Sequence, residues 1–405
     1  MLRRSVLIVF LLYEAMQRMK STNKVCIAGL GMVSSLGCDV RTSCAAARAG
    51  LTRVADLKCM NFQMSVGFGK ETLDGLQAVS GNAVSGVGEG FVGAAKIVLL
   101  GGAALQDLLR NRPLSSNELV RTGIHLNLSD RYIEDEFSKS HLEELEDSEP
   151  KSLLPSQIWV EETPGLIPKI LKLHGILTPP EHQRIYYGGH TGIVSAIQDA
   201  IEKIERGFID RCIIGGIESC LEPRFLEVAS ALNLLKTNDN PMGFIPGEAA
   251  SFILFERIEA RKAEQRSSHC EVMATAIAQD SNTIFSNEPP TGKALYQVFD
   301  QALEKDMAAR EAIGLIIGDL NGNEHRAMDW GYAMIQLHRC CRIDDKPLWL
   351  PAVSFGEVGA ATGAVAICMA VRGFERDYGY GQTVLLWLAS ENGERGAIIL
   401  KNHYI

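Results

Sequence analysis

The chain has 405 residues, a formal net charge of −9 and 46% hydrophobic residues. That is too apolar for a disordered chain, and long enough for one large layered core or two fused domains. The mildly acidic balance gives no general attraction to phosphate backbones or anionic bilayers, so it argues against nucleic acid and membrane as partners.

Of the ten cysteines none forms a CxxC pair, and Cys340-Cys341 is only a vicinal doublet. Cys26, Cys212 and Cys368 sit inside apolar runs, where a thiol behaves as a small buried hydrophobe. That usage fits a reducing cytoplasm better than a disulfide framework.

At the start, Arg3-Arg4 and the run Val6 to Tyr13 imitate a signal peptide. The run is too short to span a bilayer, and Glu14, Gln17 and Arg18 stand where a small-residue cleavage site belongs. Residues 1–23 therefore read as an N-terminal extension, of which 1–18 are an over-called start or a short appended helix.

Val25 to Gly31 is a buried strand ending in glycine turns, followed by an alanine-rich helix from Arg41 to Gly50. Phe91 to Arg110 is a helix apolar on most faces, hence buried. Thr122 to Leu128 alternates as a strand, and the acidic run Asp130 to Glu149 reads as a solvated loop or exposed helix. Arg184–Gly189, Thr191–Arg206 and Cys212–Ile217 form a strand–helix–strand unit of a parallel sheet. Phe252 to Phe255 adds a strand, and Arg257 to Ser268 is a charged helical connection.

The plan then restarts. Cys270–Ile277 is a strand, Lys293–Arg310 a helix, Ile313–Leu320 a strand and Asp329–Arg339 a helix. Ser354 to Arg372 is a glycine- and alanine-rich turn and helix, and Thr383–Ala389 with Ala397–Lys401 makes a closing strand pair. The expected domains are two successive α/β halves, residues 24–265 and 268–405, whose two sheets sandwich buried helices. The turn Gly29-Leu30-Gly31 lacks the third glycine and the distal acid of a dinucleotide fingerprint, and no Cys/His cluster has metal-ligand spacing. Neither a cofactor nor a metal is expected.

Three stretches resemble the β-ketoacyl synthases: the first strand and turn from Val25 through Gly37, the unit from Gly188 through Gly216, and the glycine-glutamate loop and strand Gly243 through Glu256. The resemblance covers nearly all the chain from residue 24. It implies an α/β thiolase-like fold, two duplicated α/β halves in a five-layer α-β-α-β-α arrangement, and a two-fold dimer.

The resemblance also implies a Cys-His-His site that this sequence does not supply. In the turn Gly188-Gly189-His190-Thr191-Gly192, Gly189 stands where the acyl-accepting cysteine belongs. Asn321, after Ile313 to Leu320, takes the place of one histidine. The turn Ala352-Val-Ser-Phe-Gly-Glu357 has lost the family's lysine and puts Glu357 at the other histidine, where a carboxylate would oppose a forming oxyanion. Ser390-Glu391-Asn392-Gly393 replaces the family's Gly-Phe-Gly-Gly loop.

His190 is the conceivable substitute nucleophile or base, though its plainer reading is a polar neighbour of a helix N-cap. His325 could swing in as a base, though Asn321 to Arg326 reads more simply as a polar surface turn. Glu248 is expected to accept buried backbone hydrogen bonds.

No catalytic residue is expected. The function that follows is a catalytically inactive synthase-like protein acting as a binding or assembly partner of an acyl chain, an acyl carrier protein, a synthase-like subunit in a homodimer or heterodimer, or a secretion-system effector. The alternative is a divergent acyltransferase or thioesterase working through His190, His325 or Glu357.

Overall fold

A computed structural model of the chain describes residues 25–59, 62–63, 65–67, 76–142, 154–258, 270–286, 288–304, 312–340 and 346–403. The expectations for 1–23, for the end of the acidic run, for 305–310 and for most of the charged connection after Arg257 lie outside those residues.

Ten strands make the main sheet: β1 (Val25–Ser34), β2 (Thr122–Leu128), β3 (Gln183–Tyr187), β4 (Arg211–Ser219), β5 (Glu248–Arg257), β6 (Cys270–Gln279), β7 (Ile313–Ile317), β8 (Leu348–Trp349), β9 (Thr383–Ala389) and β10 (Glu394–Asn402). Their order is β8-β7-β9-β10-β6-β1-β5-β4-β2-β3. Read outward from its middle, that order repeats: β1-β5-β4-β2-β3 on one side, β6-β10-β9-β7-β8 on the other. Strand directions repeat too. The two inner pairings on each side are antiparallel and the two outer ones parallel. Among the described residues the two five-stranded sheets pair with each other at Cys26–Glu271 and Ile27–Cys270.

Even an irregularity is shared. β1 shifts register between Ile27 and Gly29, and β6 between Val272 and Ala274. The extra residue changes the alternation, so that Val25 and Ile27 share a core with Leu30 and Met32.

The helices that matter for the site are α1 (Val40–Arg48), α2 (Gly93–Asn111), α3 (Tyr132–Leu142), α4 (Gly192–Glu205), α5 (Lys293–Glu304), α6 (Glu324–Arg339) and α7 (Thr362–Glu375). Three cores define the layers. α4 and α7 lie between the sheets, packed on Ile214, Phe255, Leu386 and Ile398. α2 covers the far face of the first sheet, where Leu100 and Leu105 join Leu126 and Leu254. α5 and α6 cover the far face of the second, where Phe299 and Leu337 join Leu385 and Trp387. The result is a five-layer α-β-α-β-α arrangement. α7 occupies the middle because Val365 through Val371 is apolar on every side of the helix, and only a site between two sheets buries all of it. Gly31 lets α2 approach β1, since a Cβ there would stand 2.3 Å from the Ala104 carbonyl oxygen.

Several expectations need correction. α6 begins at Glu324 rather than Asp329: the Asn323 side chain accepts from the Arg326 N–H and caps the helix five residues earlier. The acidic run is not solvated throughout, since Ile133, Glu134 and Asp135 in α3 are buried. β8, two residues long, carries too little pattern to be read from sequence. Glu248 does accept from the Val84 N–H at 2.7 Å, but it also takes the Ser219 hydroxyl at 2.9 Å and pairs with Lys96 at 3.0 Å.

Candidate functional site

The site forms where the carboxyl ends of parallel strands from both sheets converge, the usual place for a ligand crevice in α/β folds. Asp130 follows β2, Gly189 and His190 follow β3, and Glu218 is next to last in β4. From the other half, Asp319 and Asn321 follow β7 and Glu391 follows β9. Asp130 and Asp319 each stand two residues past the end of equivalent strands.

At the centre is His190, 4% exposed. Its Nδ1 lies 2.8 Å from Asp319 Oδ2 and its Nε2 3.0 Å from Glu357 Oε1, with Glu391 Oε2 at 3.8 Å. Burial disfavours the charged ring, but the carboxylates of Asp319 and Glu357 outweigh it and hold the pKa well above the ordinary value. The charged form of the ring is thus favoured, with a carboxylate oxygen within 3.0 Å of each nitrogen. It does precede the N-cap Thr191, as its sequence position suggests, but the ring is turned into the protein rather than to solvent.

Arg326, in the first turn of α6, is the second buried cation. Its Nη1 lies 3.2 Å from Asp319 Oδ1 and 3.7 Å from Glu357 Oε2, and its Nη2 pairs with Glu391. Glu357 consequently sits among donors. Oε1 accepts from the Gly359 N–H at 2.7 Å and faces His190, while Oε2 accepts from the Asn321 amide. Burial would raise the Glu357 pKa, but His190, Arg326 and Asn321 override that and hold it far below the carboxylate range.

Gly189 lies at the strand-to-helix turn with φ +54°, a left-handed conformation that costs glycine least. Its carbonyl accepts from Asn127 Nδ2 at 2.7 Å. A Cβ there would meet Asp130 Oδ2 and Ser390 Oγ at 3.4 Å. A cavity of about 40 Å³ adjoins Gly189, lined also by His190, Asp130, Glu218 and Glu357. That is room for about three waters. Burial pushes the Asp130 and Glu218 carboxyls up to about 7.

The structure thus brings Gly189, His190, Asn321 and Glu357 together and leaves His325 aside. His325 is not on a surface turn but half-buried in the first turn of α6, outside the residues lining the cavity, and burial lowers its pKa. Sequence reasoning missed Asp319, Arg326 and Asp130. Asp319 had a usable signal, a carboxylate directly after the apolar run Leu315 to Gly318; Arg326, one charge among several polar neighbours, had none. Among the described residues no group of three or more His, Cys, Asp or Glu side chains could hold a metal ion, and no helix is long and apolar enough to cross a membrane.

No protein-family model matches the chain. A Schizosaccharomyces pombe protein named as a mitochondrial 3-oxoacyl-(acyl-carrier-protein) synthase is 27% identical over 183 residues, which span 42% of this chain and 42% of that one. The match therefore spans about two-fifths of that relative's length.

Among solved structures, a type II polyketide ketosynthase in complex with its acyl-carrier protein superposes with a TM-score of 0.70 at 14% identity, covering 93% of this chain and 98% of that one. The ishigamide ketosynthase/chain length factor gives 0.69 at 15%, covering 93% and 98%. A β-ketoacyl synthase from Burkholderia phymatum gives 0.67 at 17%, covering 93% and 99%. With the repeated sheet order and the five layers, these likenesses show that the chain has the thiolase-like fold of the ketosynthases.

Proposed function

We propose that this chain is a ketosynthase-fold protein without condensing chemistry, and that it acts as a binding or assembly partner. One observation carries the reading: the Glu357 carboxylate already occupies the Asn321 amide, the Gly359 N–H and the His190 ring. Donors that could stabilise a thioester oxyanion are committed to a resident anion. Gly189 supports it further. The residue sits at a strand-to-helix turn in left-handed backbone, the kind of turn that presents a nucleophile in hydrolases, yet it offers no side chain to acylate. His190 does not replace it, because a doubly hydrogen-bearing imidazolium between two carboxylates is neither nucleophile nor base. The alternative, a divergent acyltransferase or thioesterase, gains no support from His325, which lies away from the cavity.

Intact-mass spectrometry after incubation with acyl and malonyl thioesters tests this. The protein should gain no acyl mass and release no carbon dioxide above a Gly189→Ala control. Gly189→Cys should not restore decarboxylation, since Glu357 still fills the donor set. An acyl adduct mapped to the cavity in the unaltered protein, or brisk decarboxylation by Gly189→Cys, would refute the reading.

The assembly half of the proposal rests on β3, which ends the sheet and leaves one backbone edge unpaired among the described residues. One solved relative is a ketosynthase/chain length factor. We place the interface of a homodimer, or of a heterodimer with a synthase-like subunit, at this strand. Light scattering at micromolar concentration should give twice the monomer mass, or co-purification should recover a synthase-like partner. A monomer with no such partner overturns it.

A further inference from the structure

The cavity beside Gly189 has a surplus of hydrogen-bond acceptors. Five acidic residues line it, Asp130, Glu134, Glu218, Glu357 and Glu391, against the single cationic ring of His190. Three of the five are already matched. Glu134 Oε1 pairs with Arg131 Nη1 at 2.9 Å, Glu391 pairs with Arg326, and Glu357 is held by Asn321, the Gly359 N–H and His190. Asp130 and Glu218 are left over.

Glu218, in β4, is 5% exposed, yet its carboxyl makes no hydrogen bond or ion pair among the described residues. The cation whose field it feels, Arg131, is committed to Glu134 and lies 4.3 Å over the Trp159 ring. Asp130 Oδ1 accepts from the Tyr132 N–H at 3.1 Å. Its Oδ2 is buried without a partner and faces Gly189, where a Cβ would stand 3.4 Å away. Buried acceptors of this kind rarely stay unmet, and these two border the same small space.

What satisfies them must donate at least two hydrogen bonds, carry positive charge and be small, since there is room for about three waters. A primary ammonium places three N–H donors on one atom. Water supplies donors but leaves ionised carboxylates uncompensated in a buried site. Much of the remaining lining is apolar: Phe225 and Phe244 are stacked with centroids 6.1 Å apart, and Ile133 and Cys220 line the same space. A short alkyl group can lie against it, and aromatic faces attract a cation. We propose that this cavity binds the ammonium head of a small primary amine, with Asp130 Oδ2 and the Glu218 carboxylate as its acceptors. The proposal deepens the binding role proposed above, and rests on it only in that the cavity holds a ligand without being acylated.

Isothermal titration with ethylammonium chloride at pH 8 tests it, with ionic strength held by tetramethylammonium chloride, which carries the charge but has no N–H to donate. Three heavy atoms limit such a ligand to a dissociation constant of about 1 mM, so one-to-one saturation by about 10–20 mM is expected. Glu218→Gln should weaken binding about tenfold, and its combination with Asp130→Asn should abolish it. Both changes are nearly isosteric, and a melting temperature no lower than that of the unaltered protein at pH 8 verifies that the fold is kept. A second readout is protonic. Burial raises both carboxyls to about 7; Glu134, Asp130 and Glu222 add to this at Glu218 against Arg131, and Glu391 and Glu134 add to it at Asp130 against the Tyr132 N–H and His190. The ammonium needs them ionised, so binding should release protons and weaken by about tenfold per group from pH 8 to pH 6. No saturation by about 50 mM, equal affinity in Glu218→Gln, or binding without proton release overturns the proposal and leaves the cavity to water only. No thioester enters this titration, so acyl transfer by the chain would refute the function proposed above without changing its result.

Discussion

Arg326→Met should cost about 3–5 kcal/mol of folding free energy, a larger loss than any surface substitution in this chain. Arg326 is 5% exposed and serves Asp319, Glu357 and Glu391 at once, in addition to donating to the Asp319 backbone carbonyl at 3.1 Å. Methionine fills much of the same volume, so the loss is one of charge rather than of packing. Buried Asp319 and Glu357 and half-buried Glu391 would be left with the single imidazolium of His190, and one of them would have to take up a proton or leave the cluster. Arg326→Lys keeps the charge but cannot reach three acceptors from one ammonium, so it should fall between the two. Urea unfolding followed by fluorescence measures the difference. A loss below about 1 kcal/mol for Arg326→Met would mean that Arg326 is not the partner these carboxylates depend on.

Stability should fall, not rise, between pH 5 and pH 8. Asp130 and Glu218 have folded pKa values raised to about 7, chiefly by burial, with Glu391 and Glu134 adding repulsion at Asp130, and Asp130 and Glu134 at Glu218, against attraction from His190 and Arg131 respectively. A raised carboxyl contributes stability that is fully present below its ordinary pKa and is lost as pH rises toward the folded one. The loss therefore accumulates from about pH 4 to pH 7, on the order of 1.4 kcal/mol per group per pH unit. His190, raised above its ordinary value by Asp319 and Glu357, carries the same sign onward above about pH 6.5. Glu357 has the opposite sign: its folded pKa is depressed, so its contribution is lost only as the solution becomes more acidic than about pH 4.5. The two trends set the maximum in mild acid. Asp130→Asn combined with Glu218→Gln should flatten the decline and stabilise the protein at pH 8. Denaturation midpoints across this range decide the matter. A wild-type curve that climbs steadily to pH 8, or a double variant with the original slope, would contradict the burial assigned to these two groups.

Much of the fold was legible in the sequence because burial on both faces leaves a plain mark. β4 and β5 read as near-continuous apolar runs, and α7 as a helix apolar all round, which only a layer between two sheets accommodates. The restart at Cys270 showed two halves. Of the candidate positions read from turns, Asn321 and Glu357 are hydrogen-bonded to each other, and His190, next to Gly189, faces Glu357.

What the sequence by itself determined is local: the alternation and apolar runs that choose strand or helix, the glycine turns that end them, and the absence of a side chain at Gly189. What only the tertiary structure decided is which charges meet. Asp130 belongs to an acidic run that looks solvated, and Arg326 to a polar turn, yet both end at a crevice built from strands far apart in the chain. His190 lies 129 positions from Asp319 and 167 from Glu357, and no local pattern encodes that pairing. A buried charge follows no periodicity. Its partner is set by where two sheets bring their strand ends, and the cost of desolvation then requires that opposite charges be found there.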